Sequence, residues 1–305
     1  MYNTTCFDTP ILFINFNRPS NTARVFEKIQ ERKPRYLFVF QDGPRNGNVE
    51  DIIKCKEVRA IFDRVDWDCE LRTNFSGINL GCGKGPATAI TWFFNNVEAG
   101  IILEDDCLPH LHFFDYCAQL LLQYKNDVDV AVIGGANFLE NVKDSFSYRF
   151  TAYAEIWGWA TWKRVWDKYD YDFNVSVSEF RKQVKPFLRS KNALKYWCDI
   201  LEMVQSDQTK SYWDYQMHLK LMYNHSIHIL PNVNLISNIG FGDDSTHTTD
   251  VNSIFSNKAM GSILPIQHPA QKNIQSKIDN KRYKHYIVKL YKRKMLKFVT
   301  NTFGK

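Results

Sequence analysis

Cysteine offers this chain no framework. The seven thiols, at positions 6, 55, 69, 82, 107, 117 and 198, are odd in number and include no C-x-x-C pair. That pattern favours neither a disulfide scaffold nor a zinc site and fits reduced thiols in the cytoplasm. No apolar run approaches the length of a membrane span. Met1 to Pro10 has no basic n-region and no apolar h-region, so no secretory signal is expected. With 14 glycines and 10 prolines in 305 residues, collagen-like and low-complexity chains are excluded. Two phosphate-binding signatures are missing as well. There is no G-x-x-x-x-G-K-[ST], and no G-x-G-x-x-G follows the first apolar run.

Apolar and aromatic residues are plentiful, at 44% and 15%, enough for one large or two small packed domains. The net charge of +6 conceals an asymmetry. Residues 272–305 hold eleven Lys or Arg against the single acid Asp279, whereas residues 1–271 hold 28 basic and 32 acidic residues. The body is mildly acidic and the tail strongly basic, which points the tail toward a polyanionic surface.

The first half alternates strand and helix signals. Strands are expected at Ile11 to Phe16, Tyr36 to Phe40, Cys69 to Arg72, Ile101 to Leu103 and Val128 to Ile133. Helices are expected from Ser20, as a cap, to Arg32, over 49–64, from Pro86 to Asn96, and over His110 to Tyr124. Strands separated by helices of this length imply right-handed crossovers and a mainly parallel sheet. In the second half, Ser145 to Ala154 alternates like a strand, and four of the eight tryptophans fall at 157, 159, 162 and 166. Helices are expected near 177–189, 191–204 and 213–224, short strands at 227–230 and 234–236, and a polar loop at 240–249. No linker separates the halves, so a shared core is expected: a single catalytic body over 1–271 with halves 1–135 and 136–271, followed by the tail 272–305.

Ile101-Ile102-Leu103-Glu104-Asp105-Asp106 carries the most chemistry. A buried strand ends in three carboxylates with no base among them. Repulsion raises carboxylate pKa values, and a cation relieves it. Hard oxygen ligands suit Mg²⁺ or Mn²⁺, which take substrate phosphates as further ligands. The carboxyl end of a core strand is where open α/β sheets bind ligands. The bland alternative is a solvated strand end, with Asp106 capping the helix after Pro109. Other polar loops should gather along the same edge. Arg18 and Lys84 suit phosphate. Gly81, Gly83 and Gly85 allow close backbone approach. Asp42 can accept a hydrogen bond from a base or ribose. For each of these alone, a turn or cap is the commoner role.

The order Phe-Asn-Arg-Pro, Gln-Asp-Gly, Asn-Leu-Gly and Ile-Leu-Glu-Asp-Asp-Cys-Leu-Pro resembles GT-A glycosyltransferases. The likeness is to the N-acetylglucosaminyltransferase I type and its bacterial relatives, which use nucleotide-diphospho-sugars. It continues through Trp157-Gly158-Trp159, Tyr212-Trp213-Asp214 and Pro231 to Gly242, covering roughly residues 10–250. The resemblance implies a Rossmann-like, mainly parallel α/β sheet flanked by helices, with a mixed α/β half on the acceptor side. It implies that Asp106 binds a metal bridging the diphosphate. Asp105 and Glu104 would face ribose and donor sugar, Asp42 the base, and Arg18 the ribose or phosphate. Asp214 would be the general base of an inverting enzyme, with a UDP-sugar as donor and a saccharide or lipid-linked saccharide as acceptor.

Rivals for the base are Glu155, Asp243 and Asp244, and Asp214 also suits the first turn of a helix on electrostatic grounds alone. Trp157, Trp159 and Trp213 can stack on a sugar, though core packing suits at least two of them better. His247 is a weaker metal ligand than a carboxylate for Mn²⁺ and reads better as a loop residue. In the tail, Ile287, Leu290, Tyr291, Met295, Phe298 and Val299 recur at helical spacing among Lys and Arg. Such a helix either docks on an anionic membrane surface, as a peripheral cytoplasmic enzyme would, or packs on the body. Nucleic acid is the weaker partner. Two other classes stay open: a sugar nucleotidyltransferase, which needs a glycine-rich loop after strand one, where Asn17-Arg18-Pro19-Ser20 stands, and a non-enzymatic carbohydrate- or membrane-binding module.

Overall fold

The computed structural model describes residues 7–139, 145–241 and 256–284. In chain order the elements are β1 (Ile11–Asn15), α1 (Pro19–Arg32), β2 (Tyr36–Gln41), α2 (Val49–Ile61), β3 (Glu70–Phe75), α3 (Gly81–Phe94), β4 (Ala99–Glu104), β5 (Cys107–Pro109), α4 (Leu111–Gln123) and β6 (Val130–Gly134). Then come β7 (Tyr148–Thr151), β8 (Trp159–Trp162), α5 (Lys163–Trp166), α6 (Val177–Leu188), α7 (Lys191–Ser206), α8 (Asp214–Tyr223), β9 (Ile227–Pro231), β10 (Ile236–Asn238) and α9 (Ser276–Arg282).

Eight strands form one sheet in the order β3-β2-β1-β4-β8-β6-β9-β7, and six of them run the same way, with β8 and β7 reversed. It is a mainly parallel α/β sheet flanked by helices. The central strands β1, β4 and β6 are apolar and buried on both faces, as strands covered by crossover helices must be. β8 slots between β4 and β6 because Ala160 is small enough to sit opposite both Ile101 and Ile133. A separate antiparallel ribbon pairs β5 with β10 and fixes the chain just beyond the end of β4. One apolar cluster runs through the sheet, and a second joins α6, α7 and α8.

Several boundaries differ from the sequence expectation, each for a local reason. Pro19 starts α1, with Arg18 rather than Ser20 at the cap; proline's fixed φ suits that first position. α3 begins at Gly81, and Pro86 lies inside it. The start is stabilised from outside the helix, since Asp42 accepts the Leu80 and Gly81 N–H groups at 2.8 and 2.9 Å. His110, not Asp106, caps α4, accepting the His112 N–H through its ring. The strand expected at 234–236 falls at 236–238, because Asn234 is occupied by side-chain bonds to Asn137 N–H and the Ile236 carbonyl.

The beginning of the basic tail packs on the body. Lys272 pairs with Asp127 and Asp129 at 2.7 and 2.9 Å, the Gln275 N–H donates to the Phe150 carbonyl of β7, and Tyr283 is buried. The amphipathic stretch from Ile287 onward lies outside the described residues. Among the described residues no helix is long and apolar enough to cross a membrane.

Candidate active site

Because β2, β1 and β4 are parallel neighbours, the loops that follow them meet at one sheet edge. Glu104 closes β4, and Asp105 and Asp106 form the turn into β5. Asp105 is buried and accepts the Phe16 N–H at 3.3 Å and the Arg18 guanidinium at 3.1 Å. Arg18 also reaches Asp106 at 3.5 Å. Burial raises the Asp105 carboxyl to about 6, against the pull of Arg18. Glu104 is pushed up further, first by burial and then by Asp106, Asp105 and Asp214. Burial works against the Arg18 charge, yet Asp105, Asp106 and Glu104 outweigh it and hold the guanidinium protonated. The cluster needs positive charge, and Arg18 supplies it from within the protein.

The Asp106 side chain is 23% exposed, against 8% for Asp105. Its surroundings are shaped by Gly240, where a Cβ would stand 2.6 Å from the Asp106 Oδ2. The Ile239 N–H holds the Asp106 carbonyl at 2.8 Å through the β5–β10 ribbon. Among the described residues no group of three or more His, Cys, Asp or Glu converges as a metal cage. Asp106 could serve as one carboxylate ligand to a Mg²⁺ or Mn²⁺ ion whose other ligands came from phosphate.

Asp42 is fully engaged. Oδ1 accepts the Gly43 and Leu80 N–H groups, and Oδ2 accepts the Gly81 N–H and the Asn79 amide. It ties the β3–α3 loop to β2, so contact with a base would come at the cost of one of those bonds. Burial raises its pKa, partly offset by the three backbone amides. Lys84 is exposed on the first turns of α3, and the structure gives it no contact with the acidic cluster.

Asp214 opens α8, and its charge is among the causes that raise the Glu104 carboxyl. Trp159 and Trp213 are core residues, buried and stacked on each other at 6.3 Å. Trp157 is half-buried, edge-on to Phe138 and Phe241, and remains the one tryptophan of the three suited to a sugar face. Glu155 is half-buried next to Gly134. Asp243, Asp244 and His247 lie outside the described residues.

Three supports escaped the sequence reading. Asp51 of α2 is buried and ties two loops, accepting Arg45 at 2.6 and 2.7 Å and Asn17 at 2.7 Å. Gly83 lets the 207–212 loop close over α3; a Cβ there would meet the Lys210 carbonyl at 2.1 Å. Gly240 is the third. The signal that could have found Asp51 is the capping pattern Asn48-x-x-Asp51, whose cap bond the structure shows. The sequence reads Gly83 as open to close approach by a ligand, where the fold instead sets the Lys210 carbonyl; for Gly240 the sequence shows no signal.

No protein-family model and no curated protein sequence matches the chain. Solved structures show a distant likeness. HddC from Yersinia pseudotuberculosis is 10% identical over 53% of this chain and 80% of its own, with a TM-score of 0.34. The 4-diphosphocytidyl-2C-methyl-D-erythritol synthase from Anaerococcus prevotii is 10% identical over 61% and 86%, at 0.34. A UDP-glucose pyrophosphorylase solved with UDP-glucose is 9% identical over 73% and 90%, at 0.36. Likeness this low says nothing about activity.

Proposed function

We infer that the chain is a metal-dependent transferase acting on a nucleotide-diphospho-sugar, and that the group it moves is the sugar. The observation that carries the reading is the acidic turn Glu104-Asp105-Asp106 at the carboxyl end of β4, paired with Arg18. The likeness of the motifs to GT-A glycosyltransferases supports the finer roles. Asp106 holds the ion and Arg18 turns from the carboxylates to the diphosphate. Asp105 and Glu104 accept from ribose and sugar hydroxyls. Asp214 takes the proton of the acceptor hydroxyl as the new glycosidic bond forms opposite the departing diphosphate. When bound, the ion neutralises charge on that diphosphate. The UDP-sugar donor and saccharide acceptor rest on the resemblance, the catalytic body 1–271 on the lack of a linker, and the membrane role of the tail on its basic, apolar-striped sequence.

A second reading, transfer of a nucleotidyl group to a sugar phosphate, is the one the name pyrophosphorylase suggests. The loop after β1, Asn17-Arg18-Pro19, lacks the glycines that would wrap a triphosphate, and Asn17 is already bonded to Asp51.

Calorimetry with UDP tests the site. Wild type should bind UDP with Mn²⁺ and more weakly without it. Asp106→Asn should remain folded and lose the Mn²⁺-dependent part, because a neutral amide cannot offset the cation's charge. Undiminished Mn²⁺-dependent affinity in the folded variant would remove Asp106 from the metal site.

A further inference from the structure

The β5–β10 ribbon has Asp106 just before one end and His110 just after the other, with Cys107 paired to Asn238 and Pro109 to Ile236. Beyond His110 a cavity of about 450 Å³ opens between α1, the start of α4 and residues 260–262, a size suited to a small ligand. Its polar lining is Lys28, His110, His112 and Ser262, and Pro109, Leu111 and Met260 are its apolar walls. Among the described residues no carboxylate lines it. Lys28 stands ten residues along α1 from Arg18, about 15 Å at the helical rise, which sets this cavity apart from the acidic turn.

The hydrogen bonds fix what the lining offers. Nδ1 of His110 accepts the His112 N–H at 3.1 Å. A ring nitrogen that accepts carries no proton, so the proton of the neutral His110 ring is on Nε2, and Nε2 is a donor. That tautomer leaves no lone pair on Nε2 for a metal, and the Lys28 ammonium repels a cation. Nδ1 of His112 meets the Ser262 hydroxyl at 3.0 Å, which ties residues 260–262 to α4, and the two rings stand edge to face at 4.8 Å. Lys28 pairs with Glu31 at 2.6 Å, a solvent-facing i,i+3 pair that engages one of the three ammonium protons. Further along the two helices, Arg32 and Asp115 neutralise each other at 2.5 Å. Burial first, then His112 and Lys28, hold the His110 ring below the usual imidazole range. A ligand entering the cavity therefore meets N–H donors and a fixed positive charge.

We propose that this cavity is an oxyanion site: Lys28 and the His110 Nε2–H bind the phosphate or carboxylate group of a ligand other than the nucleotide-sugar. An ammonium and an imidazole N–H form charge-assisted hydrogen bonds with such a group. The site does not depend on which group the acidic turn transfers.

The ring NMR signals of His110 and His112 test it, titrated at constant ionic strength with sulfate, inorganic phosphate, glucose 6-phosphate, glucuronate and, as the neutral control, glucose. The anions should shift both rings saturably and glucose should not. Sulfate, whose charge is constant across the range, should raise the titration midpoint of His110, since a nearby anion favours the charged ring. Glucose 6-phosphate binding more tightly than phosphate assigns the group to a saccharide; equal or weaker binding assigns free phosphate. Lys28→Gln combined with His110→Asn should weaken anion binding at least about tenfold, the scale for lost hydrogen bonds to a charged group. Asn still caps a helix, so α4 should form. Lys28→Glu leaves that cap untouched and should abolish binding by itself. Affinity for UDP with Mn²⁺ should be unchanged in both variants. The proposal is overturned if no anion shifts the rings saturably, if binding survives in Lys28→Glu, or if the folded variants lose UDP affinity along with the anion.

Discussion

Asp51 has no part in the chemistry proposed above, yet it decides where the chemistry stands. Its two oxygens receive Arg45 and Asn17, one from each of the loops that border the acidic turn. The Arg45 guanidinium lowers the Asp51 carboxyl to about 2, with burial opposing. An unfolded aspartate titrates near about 3.9. The folded value is the lower of the two, so this group's stabilisation is complete above about pH 4 and is lost as pH falls toward 2. Arg45 is 60% exposed, and solvent screens the pair. Asp51→Ala should therefore cost only about 1–2 kcal/mol at pH 7, the range for lost charge-assisted hydrogen bonds. Urea midpoints for wild type and variant should converge as pH falls through 3. Gly240 gives a sharper case. Gly240→Ala forces a methyl onto the Asp106 carboxylate. The variant should fold, with a loss of about 1–3 kcal/mol as usual for overpacking, and should bind Mn²⁺–UDP at least tenfold more weakly by calorimetry. Retained affinity would mean that Asp106 is not confined by this strand.

At the scale of elements, the parallel strands and the reversed β7 were legible, and the reversed β8 was not. β1, β2, β4 and β6 are short apolar runs bounded by turn residues, a pattern that only a doubly covered strand satisfies. β5 and β10 are three residues each and carry no periodicity to read; they exist because they pair with one another. α3 was misplaced by five residues because its first turn is held by Asp42, forty residues upstream, and not by a local cap. The acidic turn itself was readable, since like charges at the end of an apolar strand need a cation. The cation that the fold supplies, Arg18, lies 87 residues away and was assigned to ribose or phosphate, not to the carboxylates. α9 makes a testable element. Its Asp279 is buried against the Thr151 hydroxyl at 2.6 Å and the Ala152 N–H at 3.0 Å. Burial raises it to about 6. Here the folded value exceeds the unfolded one, so the contribution is complete below about pH 4 and declines as pH rises through 6. Amide exchange at Ala152 should therefore be slower at pH 5 than at pH 8, after correction for intrinsic rates. Equal or inverted protection would show that the carboxyl does not titrate in place.

For the molecule as a whole, the sheet brings three loops to one edge, and helices α6 to α8 pack together in a second apolar cluster, with Asp214 at the start of α8. The proposed division of labour sets a nucleotide-sugar against the parallel half and an acceptor against the α8 side. The basic asymmetry of the chain is shared between a segment that packs on β7 and the residues past 284. The central claim is that a sugar, not a nucleotidyl group, is transferred under metal control at Asp106. Product analysis with UDP-glucose, UDP-galactose and UDP-N-acetylglucosamine as separate donors tests it most directly. With Mn²⁺ the wild type should release UDP and free or transferred sugar from at least one donor. Chelation should stop the release, as should Asp106→Asn in a folded protein. UDP release indifferent to both, or pyrophosphate formed from UTP and a sugar phosphate in place of UDP, would contradict the account.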